Sequence, residues 1–380
     1  MLQPVKEVLL QNTHRQRIEK ILAAIAAQSI DALMVSIAEN RYYLSGFAAE
    51  GGPFDDSAGV LLISPERRIL VTDVRFTTQA EQQAPLFEVF RHKKGLIAAL
   101  PDVLADMRAD RLGFESRHLS VKAHQEIIAK LAESGSSVEL VSCEDIVERL
   151  RAVKDDAEIE ATRRAVAIAE AAFAELMTVI QTGMTEKKAA WLLEKAMREN
   201  GAEGLAFPPI AAAGPNSALP HAVPSDRPFA AGEPILFDWG ARFEGYCSDI
   251  SRTVVLGAPD PRFIEIHSIV LQAQTRAVTA IRDGRSTVEI DRIARDVIGE
   301  AGFGENFGHA LGHGTGLVVH ERPRLSPLKD SRLAAGMLVT VEPGIYLPDW
   351  GGVRLENQVL VRKDDAEVLN HLAITDGRVG

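Results

Sequence analysis

The spacing of apolar residues in the first part of the chain predicts alternating helices and buried strands. Over residues 14–27 the apolar side chains recur on one helical face, at Ile18, Ile21, Leu22 and Ile25. A continuous apolar run at 30–36 predicts a buried strand, and the runs at 59–64 and 68–73 predict a strand pair. Similar patterns continue to about Val147, so we expect an α/β domain over residues 1–152.

A run of charged residues at 148–160 separates this part of the chain from the next. The run contains no glycine or proline, and charge-dense segments of this kind are usually solvated. We therefore expect an exposed connection that leads into a long helix, with the domain boundary near Lys154 and a second domain over residues 153–380.

The second domain contains one order of elements twice. Two helical patterns, at 157–180 and 185–200, precede two strand patterns, at 234–241 and 246–256. Helical patterns recur at 260–282 and 287–301, the latter after a capping-box start at Ser286 and Glu289, and strand patterns recur at 337–346 and 353–362. This repeat predicts an α+β domain of two matching halves with a site shared between them.

Two aspartates lie in the strands of the first half. Asp238 and Asp249 are an odd number of residues apart, with a two-residue turn expected near Glu244 and Gly245. In an antiparallel hairpin this spacing places both carboxylates on one face of the sheet, opposite or diagonal to each other.

Two glutamates occupy the matching strands of the second half. Glu342 and Glu356 are an even number of residues apart, so they share a face of the sheet only if the loop between the strands has an odd number of residues. A loop centred on Asp349 would meet this condition. Asp238 and Glu342 both lie in apolar runs, and buried carboxylates gathered at one place must take up protons or bind cations. The four acids therefore predict a site for two divalent metal ions.

His313 is a further candidate metal ligand. Glycines flank it on both sides, and we expect them to leave room for the imidazole ring beside an ion. The glycine-rich segment lacks the spacing and the lysine of a phosphate-binding loop, and the residues after His320 and Glu321 do not complete an H-E-x-x-H zinc motif. The sequence therefore favours a carboxylate-rich metal centre over a phosphate-binding loop or an H-E-x-x-H zinc site.

The composition narrows the class of partner. The 380 residues carry 42 Lys and Arg against 53 Asp and Glu, a formal net charge of −11, which argues against nucleic acid or an anionic membrane as a partner. The two cysteines, Cys143 and Cys247, predict no disulfide framework and favour a reducing compartment. The first residues lack the apolar core of a signal peptide, and no apolar run reaches the roughly 20 residues of a membrane span, so a cytoplasmic location is expected.

The candidate ligands carry a family resemblance. Asp238, Asp249, His313, Glu342 and Glu356, in this order and with these flanking residues, resemble the metal ligands of the pita-bread, or creatinase-fold, peptidases. The branch of proline dipeptidases and Xaa-Pro aminopeptidases is the most similar, because residues 40–47 resemble its N-terminal domain and residues 149–160 resemble its interdomain segment. The resemblance implies a creatinase-type N-terminal α/β domain, a C-terminal pita-bread α+β domain with an internal pseudo-twofold repeat, and a homodimer.

The resemblance also implies roles for individual residues. Asp238 would bind one metal ion, Asp249 and Glu356 would bridge both ions, and His313 and Glu342 would complete the site of the second ion. The implied catalytic residues are His221, His320 and Glu342. The implied substrate-binding residues are His221, His309, His320, Arg324 and Arg354, of which Arg354 lies near the bridging glutamate and Arg324 faces the substrate's C-terminal carboxylate.

The activity implied by the resemblance is metal-assisted hydrolysis of a small peptide with proline at its second position. His221 and His320 would stabilise the oxyanion, and Glu342 would pass a proton to the proline nitrogen. Ligands that are almost all oxygen favour Mn²⁺, with Co²⁺ or Zn²⁺ as alternatives. A proline dipeptidase is the first interpretation. An Xaa-Pro aminopeptidase for longer peptides, a relative with a non-peptide substrate and a metal-free binding module remain alternatives, although the complete ligand set disfavours the last.

Overall fold

The structure of the protein, a computed structural model, describes residues 3–49, 54, 57–374 and 377–379. Its internal contacts divide the chain into one unit over Met1–Arg151 and another over Ala152–Gly380. Among the described residues, no helix combines the length and the apolar character needed to cross a bilayer.

The first unit is built on a mixed six-stranded sheet. Its elements are α1 (Gln3–Ala26), β1 (Ala32–Val35), α2 (Ala38–Ser45), β2 (Val60–Ile63), β3 (Arg68–Thr72), α3 (Thr77–Gln83), β4 (Glu88–Arg91), α4 (Leu96–Met107), β5 (Arg111–Glu115), α5 (Val121–Glu133), β6 (Glu139–Cys143) and α6 (Ile146–Arg151). The strand order is β4-β3-β2-β1-β5-β6. Strand β2 is antiparallel to both of its neighbours, β1 and β3, whereas β5 is parallel to both of its neighbours, β1 and β6. The predicted buried strand is β1 and the predicted pair is β2 with β3, so both predictions are confirmed.

Helix α1 contains the predicted apolar face. Ile18, Ile21 and Ile25 are buried, while Leu22 is partly buried. The helix begins before the predicted residue 14, because Pro4 lies in its first turn, where a missing N–H is tolerated, and no breaker follows it.

The second unit repeats one order of elements. The first half contains α7 (Asp156–Met177), α8 (Glu186–Glu199), β7 (Gly204–Leu205), β8 (Ile210–Ala213), a 3₁₀ helix (Gly214–Ala218), β9 (Ile235–Trp239), β10 (Ala241–Phe243), β11 (Tyr246–Cys247) and β12 (Ile250–Leu256). The second half contains α9 (Pro261–Ala280), α10 (Thr287–Glu300), a 3₁₀ helix (Gly304–Asn306), β13 (Gly312–Gly314), β14 (Glu321–Leu325), β15 (Leu338–Val341), β16 (Gly344–Leu347), β17 (Gly351–Arg354), β18 (Asn357–Val361), β19 (Ala366–Val368) and β20 (Arg378–Val379). The predicted repeat of two helices followed by a hairpin is confirmed.

Each half of this unit has an apolar core between its helix pair and its strands. In the first half Trp239 of β9 stacks on Phe173 of α7, with ring centroids 4.4 Å apart, and its indole N–H donates to Ala169 O at 2.9 Å. In the second half Phe263 and Ile290 of the two helices are buried with Val359 of β18. The strands that carry the candidate ligands are therefore held by packed helices.

The charged segment at 148–160 differs from the prediction. It is not one exposed connection, because α6 ends at Arg151 and α7 begins after a capping box formed by Asp155 and Glu158. Lys154 and Glu158 are buried. Their charges have partners, since Lys154 Nζ lies 3.2 Å from Glu321 Oε2 and Tyr246 Oη donates to Glu158 Oε1 at 2.8 Å. Paired charges can be buried where isolated ones cannot, and the sequence did not reveal these partners.

Candidate metal centre

The first two acids lie on one hairpin. Asp238 in β9 pairs with Ser251 in β12, so Asp249 lies diagonally across from Asp238 on the same face of the sheet. The predicted turn is present at Glu244 and Gly245, which join β10 to β11 and both have positive φ, 46° and 81°. Two positive φ values are typical of a type I′ turn, whose twist matches that of the flanking strands. The turn thus sets the register that brings the two aspartates together.

The two glutamates lie at breaks in the strands of the second hairpin. β16 pairs with β17 across a loop at 348–350, centred on Asp349 as the spacing predicts. β15 pairs with β18 in the same register, so Glu342 and Glu356 lie opposite each other between the two paired segments. The backbone N–H of Glu356 donates to Ser251 O at 3.1 Å, which joins this hairpin to the first.

His313 lies in β13, between β14 and β15. A Cβ atom on Gly312 would lie 2.0 Å from Thr340 O, and one on Gly314 would lie 2.1 Å from Arg322 O. The flanking glycines therefore allow the neighbouring backbones to approach, and our expectation that they also leave room for the imidazole ring stays a prediction. Nδ1 of His313 lies 3.1 Å from Gly314 O, which leaves Nε2 to face the acids.

The side chains of both hairpins converge around His313. Ligand atoms of Asp249, His313 and Glu356 all lie within 4.8 Å of one another. Nε2 of His313 is 3.6 Å from Asp249 Oδ2 and 3.3 Å from Glu342 Oε1. The structure therefore brings four of the five predicted ligands into direct proximity.

The two oxygens of Asp238, and likewise those of Glu356, differ in their hydrogen bonding to the described residues. Asp238 Oδ2 accepts from Arg354 Nη2 at 2.6 Å, and Glu356 Oε2 accepts from Ser251 Oγ at 2.7 Å. Asp238 Oδ1 and Glu356 Oε1 are buried and have no hydrogen-bond partner among the described residues. A buried carboxylate oxygen without a donor is costly, and a cation would remove that cost. These carboxylate oxygens are thus suitable ligands for a divalent metal ion.

The acids also act on one another electrostatically. Burial raises the pKa of Asp238, and burial together with neighbouring carboxylates raises the pKa of Asp249 and Glu356 well above the ordinary range. Burial opposes the ionisation of Glu342 as well, but the nearby His313 outweighs it and lowers the pKa of Glu342 to about 2. Bound cations would relieve the repulsion within such a cluster.

Arg354 is buried, and protein acceptors surround its guanidinium. Besides its bond to Asp238, it donates to Ser251 Oγ at 2.8 Å, to Tyr346 Oη at 2.9 Å and to Pro220 O at 3.1 Å. The arginine therefore fixes one oxygen of Asp238 and connects the acids to the segment just before His221.

Three residues that support the site were not identified from the sequence: Ser251, Thr340 and Tyr346. Thr340 Oγ1 accepts from the His313 N–H at 3.1 Å and donates to Glu342 Oε1 at 3.2 Å. Tyr346 Oη lies 2.9 Å from His309 Nε2. Each of the three lies an even number of residues from Asp249 or Glu342, and side chains at even spacing share a strand face. That spacing is the signal that could have found them.

The three histidines assigned to the substrate pocket lie on separate segments. His221 and His320 are exposed, whereas His309 is partly buried. The ring centroids of His320 and His313 are 4.2 Å apart. Although the residue as a whole is exposed, loss of water around its ring, together with the nearby charges of His313, Arg324 and His221, lowers the pKa of His320 to about 4. His320 is therefore neutral at pH 7 and is influenced by His221 as well as by the metal-site residues.

Arg324 is exposed in β14, directly opposite His313 in β13. Opposed residues of an antiparallel pair lie on the same face of the sheet. The guanidinium is thus on the face that carries the candidate ligands.

Two known protein families match successive parts of the chain, and the two matches together cover most of it. The family described as Metallopeptidase family M24 matches residues 160–363, and the one described as Creatinase/Prolidase N-terminal domain matches residues 17–153. The predicted fold class, with a creatinase-type domain followed by a pita-bread domain, is confirmed by these matches.

Individual relatives match over nearly the full length. A protein named Xaa-Pro dipeptidase from Pyrococcus horikoshii is 36% identical over 355 residues, which cover 93% of this chain and 96% of the relative. A solved structure named Xaa-Pro dipeptidase from Bacillus anthracis is 37% identical, has a TM-score of 0.90, and covers 95% of this chain and 99% of its own. A crystal structure of X-Pro aminopeptidase from Thermotoga maritima is 40% identical, has a TM-score of 0.83, and covers 91% and 97% of the two chains.

Proposed function

Because the chain belongs to metallopeptidase family M24, we propose that it is a dinuclear-metal hydrolase that cleaves the Xaa-Pro bond of dipeptides. The observation that carries the proposal is the convergence of buried acids and His313, with carboxylate oxygens that have no donor within the part of the chain that the structure describes. A metal-free binding module would have no use for so costly an arrangement.

The proposed ligands are Asp238 for one ion, Asp249 and Glu356 as bridges, and His313 and Glu342 for the second ion. In support, Asp249, His313 and Glu356 form one cluster, and Glu342 is in contact with His313. The donors are oxygen atoms except for one imidazole nitrogen, a set that favours Mn²⁺, with Co²⁺ or Zn²⁺ as alternatives. When bound, two such ions polarise a scissile carbonyl and activate a water molecule for attack.

The chain's own residues would bind the substrate and move protons. Glu342, whose carboxylate lies 3.3 Å from His313 Nε2, would accept a proton from the attacking water and deliver it to the proline nitrogen as the C–N bond breaks. His221 and His320 would stabilise the oxyanion of the tetrahedral intermediate by hydrogen bonding. His309 and Arg354 would keep Tyr346 and Asp238 in place beside them.

Arg324 supports the choice of dipeptides. It lies opposite His313 on the ligand face, where a guanidinium would bind the carboxylate that ends a dipeptide just beyond the proline ring. The similarity to an X-Pro aminopeptidase supports a second candidate, hydrolysis of longer Xaa-Pro peptides. We also propose a homodimer, as the family resemblance implies. We propose a reducing, cytoplasmic compartment as well, since Cys143 and Cys247 are both buried and do not form a disulfide.

The test is a substrate panel with protein purified without chelator. Metal content is measured by mass spectrometry, and Xaa-Pro, Xaa-Ala and Xaa-Pro-Xaa peptides are assayed with added Mn²⁺. We expect metal in the purified protein and the highest kcat/KM for Xaa-Pro dipeptides. Preference for tripeptides would favour the aminopeptidase, and inactivity of a metal-loaded protein on all three would overturn the proposal. Glu356→Gln, which removes one bridging charge, is the matched inactive control.

A further inference from the structure

The loop that carries His221 spans residues 214–225, between β8 and the approach to β9, and we name it the His221 loop. Its tip is open to solvent, since His221 is exposed, as are Leu219 and Val223, at 58% and 84%. A side chain that must meet a transition state cannot be left free, because misplacement by about 1 Å costs on the order of 100-fold in rate. The loop therefore needs anchors within the folded unit.

One buried carboxylate binds both ends of the His221 loop. Glu186, the first residue of α8, is 0% exposed. Its Oε1 accepts from the Ala213 N–H at 2.8 Å, and its Oε2 accepts from the Ser225 N–H at 2.9 Å and from Ser225 Oγ at 2.6 Å. Asn216 Nδ2 lies 3.1 Å from both oxygens. The residue before the loop and the residue at its end are thus joined through one side chain.

The place of Glu186 in the fold suits this role. Its carboxylate lies in the first turn of a helix, where the helix dipole favours a negative charge. The same turn binds the far end of the loop by backbone, because the N–H groups of Glu186 and Lys187 donate to Arg227 O and Ser225 O at 3.1 and 3.0 Å. Farther along α8, Leu193 and Met197 are buried in the core. The anchor is therefore rigid with respect to the packed helix.

The middle of the loop faces the acids. Arg354 Nη1 donates to Pro220 O, the carbonyl directly before His221. The loop is therefore held at its ends by Glu186 and near its tip by the arginine that binds Asp238.

We propose that Glu186 is a positioning residue for His221: by joining the two ends of the loop, it sets where the imidazole meets the substrate. This inference rests on the proposed function, because it assumes that His221 acts on the transition state. It predicts that loss of the Glu186 carboxylate lowers kcat through His221 alone and leaves the metal ligands unaffected.

The test is Glu186→Gln. An amide has a single oxygen, so one end of the loop loses its acceptor whichever way the amide turns. We expect kcat to fall about 10- to 100-fold with little change in KM, and metal content to stay at the level of the parent protein. In the His221→Ala background the same substitution should cause no further loss, because the residue it positions is gone. Glu199→Gln, an exposed glutamate on the same helix, is the control and should leave kcat unchanged.

Ser225→Ala provides a milder variant in case Glu186→Gln folds poorly, since it removes one donor to Glu186 and keeps the backbone bond. It should lower kcat by a smaller factor and also be without effect in the His221→Ala background. Full activity of both variants, or losses that multiply with that of His221→Ala, would overturn the inference. Failure of the proposed function can be told apart from failure of this inference, because the unsubstituted protein would then be inactive on Xaa-Pro peptides.

Discussion

Individual carboxylates in this site have their two oxygens in different environments. In Asp238 and Glu356 one oxygen accepts a hydrogen bond from protein, from Arg354 and Ser251, and the other has no donor among the described residues. The bonded oxygen fixes the orientation of the carboxylate, and the second remains for a cation. Side chains that hydrogen-bond to the ligand carboxylates are a general feature of metal sites. A carboxylate that is already oriented loses less conformational freedom when the ion binds.

Arg324→Ala tests the preference for dipeptides at the scale of a single residue. We expect the substitution to weaken kcat/KM for an Xaa-Pro dipeptide by the loss of a charge-assisted contact, about 1.5–3 kcal/mol, and to spare the C-terminally amidated substrate. The reason is that the amide offers no charge for the guanidinium to bind. The assay is kcat/KM for both substrates.

The control for this prediction is Arg292→Ala, an exposed arginine on α10. It should change neither substrate. If Arg324→Ala changes both substrates by one factor, the arginine does not bind the carboxylate, and the aminopeptidase becomes the better proposal.

At the residue scale the sequence indicates the candidate metal ligands better than it indicates the residues that hold the site in place. Asp238 and Glu342 are conspicuous because an acid within an apolar run needs a partner. Glu186 gives no such signal, since a glutamate at the start of a helix is ordinary and its partners at Ala213 and Ser225 are distant in the sequence. Long-range hydrogen bonds of this kind follow from the packed fold and cannot be read from local pattern.

At the scale of elements, spacing predicted both hairpin registers but not the strand breaks. The odd and even separations of the acids gave the turn at Glu244 and the loop centred on Asp349. Each of the strands predicted at 246–256, 337–346 and 353–362 is in fact two strands, with Asp249, Glu342 or Glu356 in the gap. The ladder stops where an acid turns towards the site, and such a break depends on the facing strand rather than on the strand's own sequence.

Glu367 links three elements and predicts a pH dependence of stability. It lies in β19 and accepts from Arg163 of α7 at 2.5 Å and from Arg362, after β18, at 2.6 Å. Burial opposes its ionisation, but the two arginines outweigh it and lower the pKa of Glu367 below the ordinary 4.5. The stability it contributes is therefore fully present above pH 4.5 and is lost as pH falls through the lowered pKa.

The measurement is the unfolding temperature of the parent protein and of Glu367→Gln across pH. The variant should unfold at a lower temperature at neutral pH, and the difference should shrink as pH falls below 4.5 and through the lowered pKa of Glu367. Glu300→Gln, at the exposed end of α10, is the control. A difference that does not depend on pH would mean that packing rather than charge holds Glu367.

At the scale of the whole molecule, the repeated halves of the second unit explain where the site forms. Each half supplies a hairpin with two acids, and each hairpin is held by its own helix pair. The bond from the Glu356 N–H to Ser251 O joins the hairpins at the acids themselves. The acids are thus fixed by two cores and cannot easily move apart to relieve their repulsion.

The last prediction follows from this rigidity and concerns removal of metal from the whole protein. Ions bound only by the folded state stabilise it by about 2.7 kcal/mol at a concentration 100-fold above Kd, so a chelator should lower the unfolding temperature. Without metal, the repulsion among Asp249, Glu342 and Glu356 remains, and Glu356→Gln, which keeps the shape but removes one charge, should then unfold at a higher temperature than the parent. With Mn²⁺ the order should reverse, because the variant lacks a bridging ligand. Calorimetry of both proteins with chelator and with Mn²⁺ gives the four temperatures needed. If the order of the two proteins is the same in both conditions, with metal removal verified by mass spectrometry, the carboxylates do not form the proposed site.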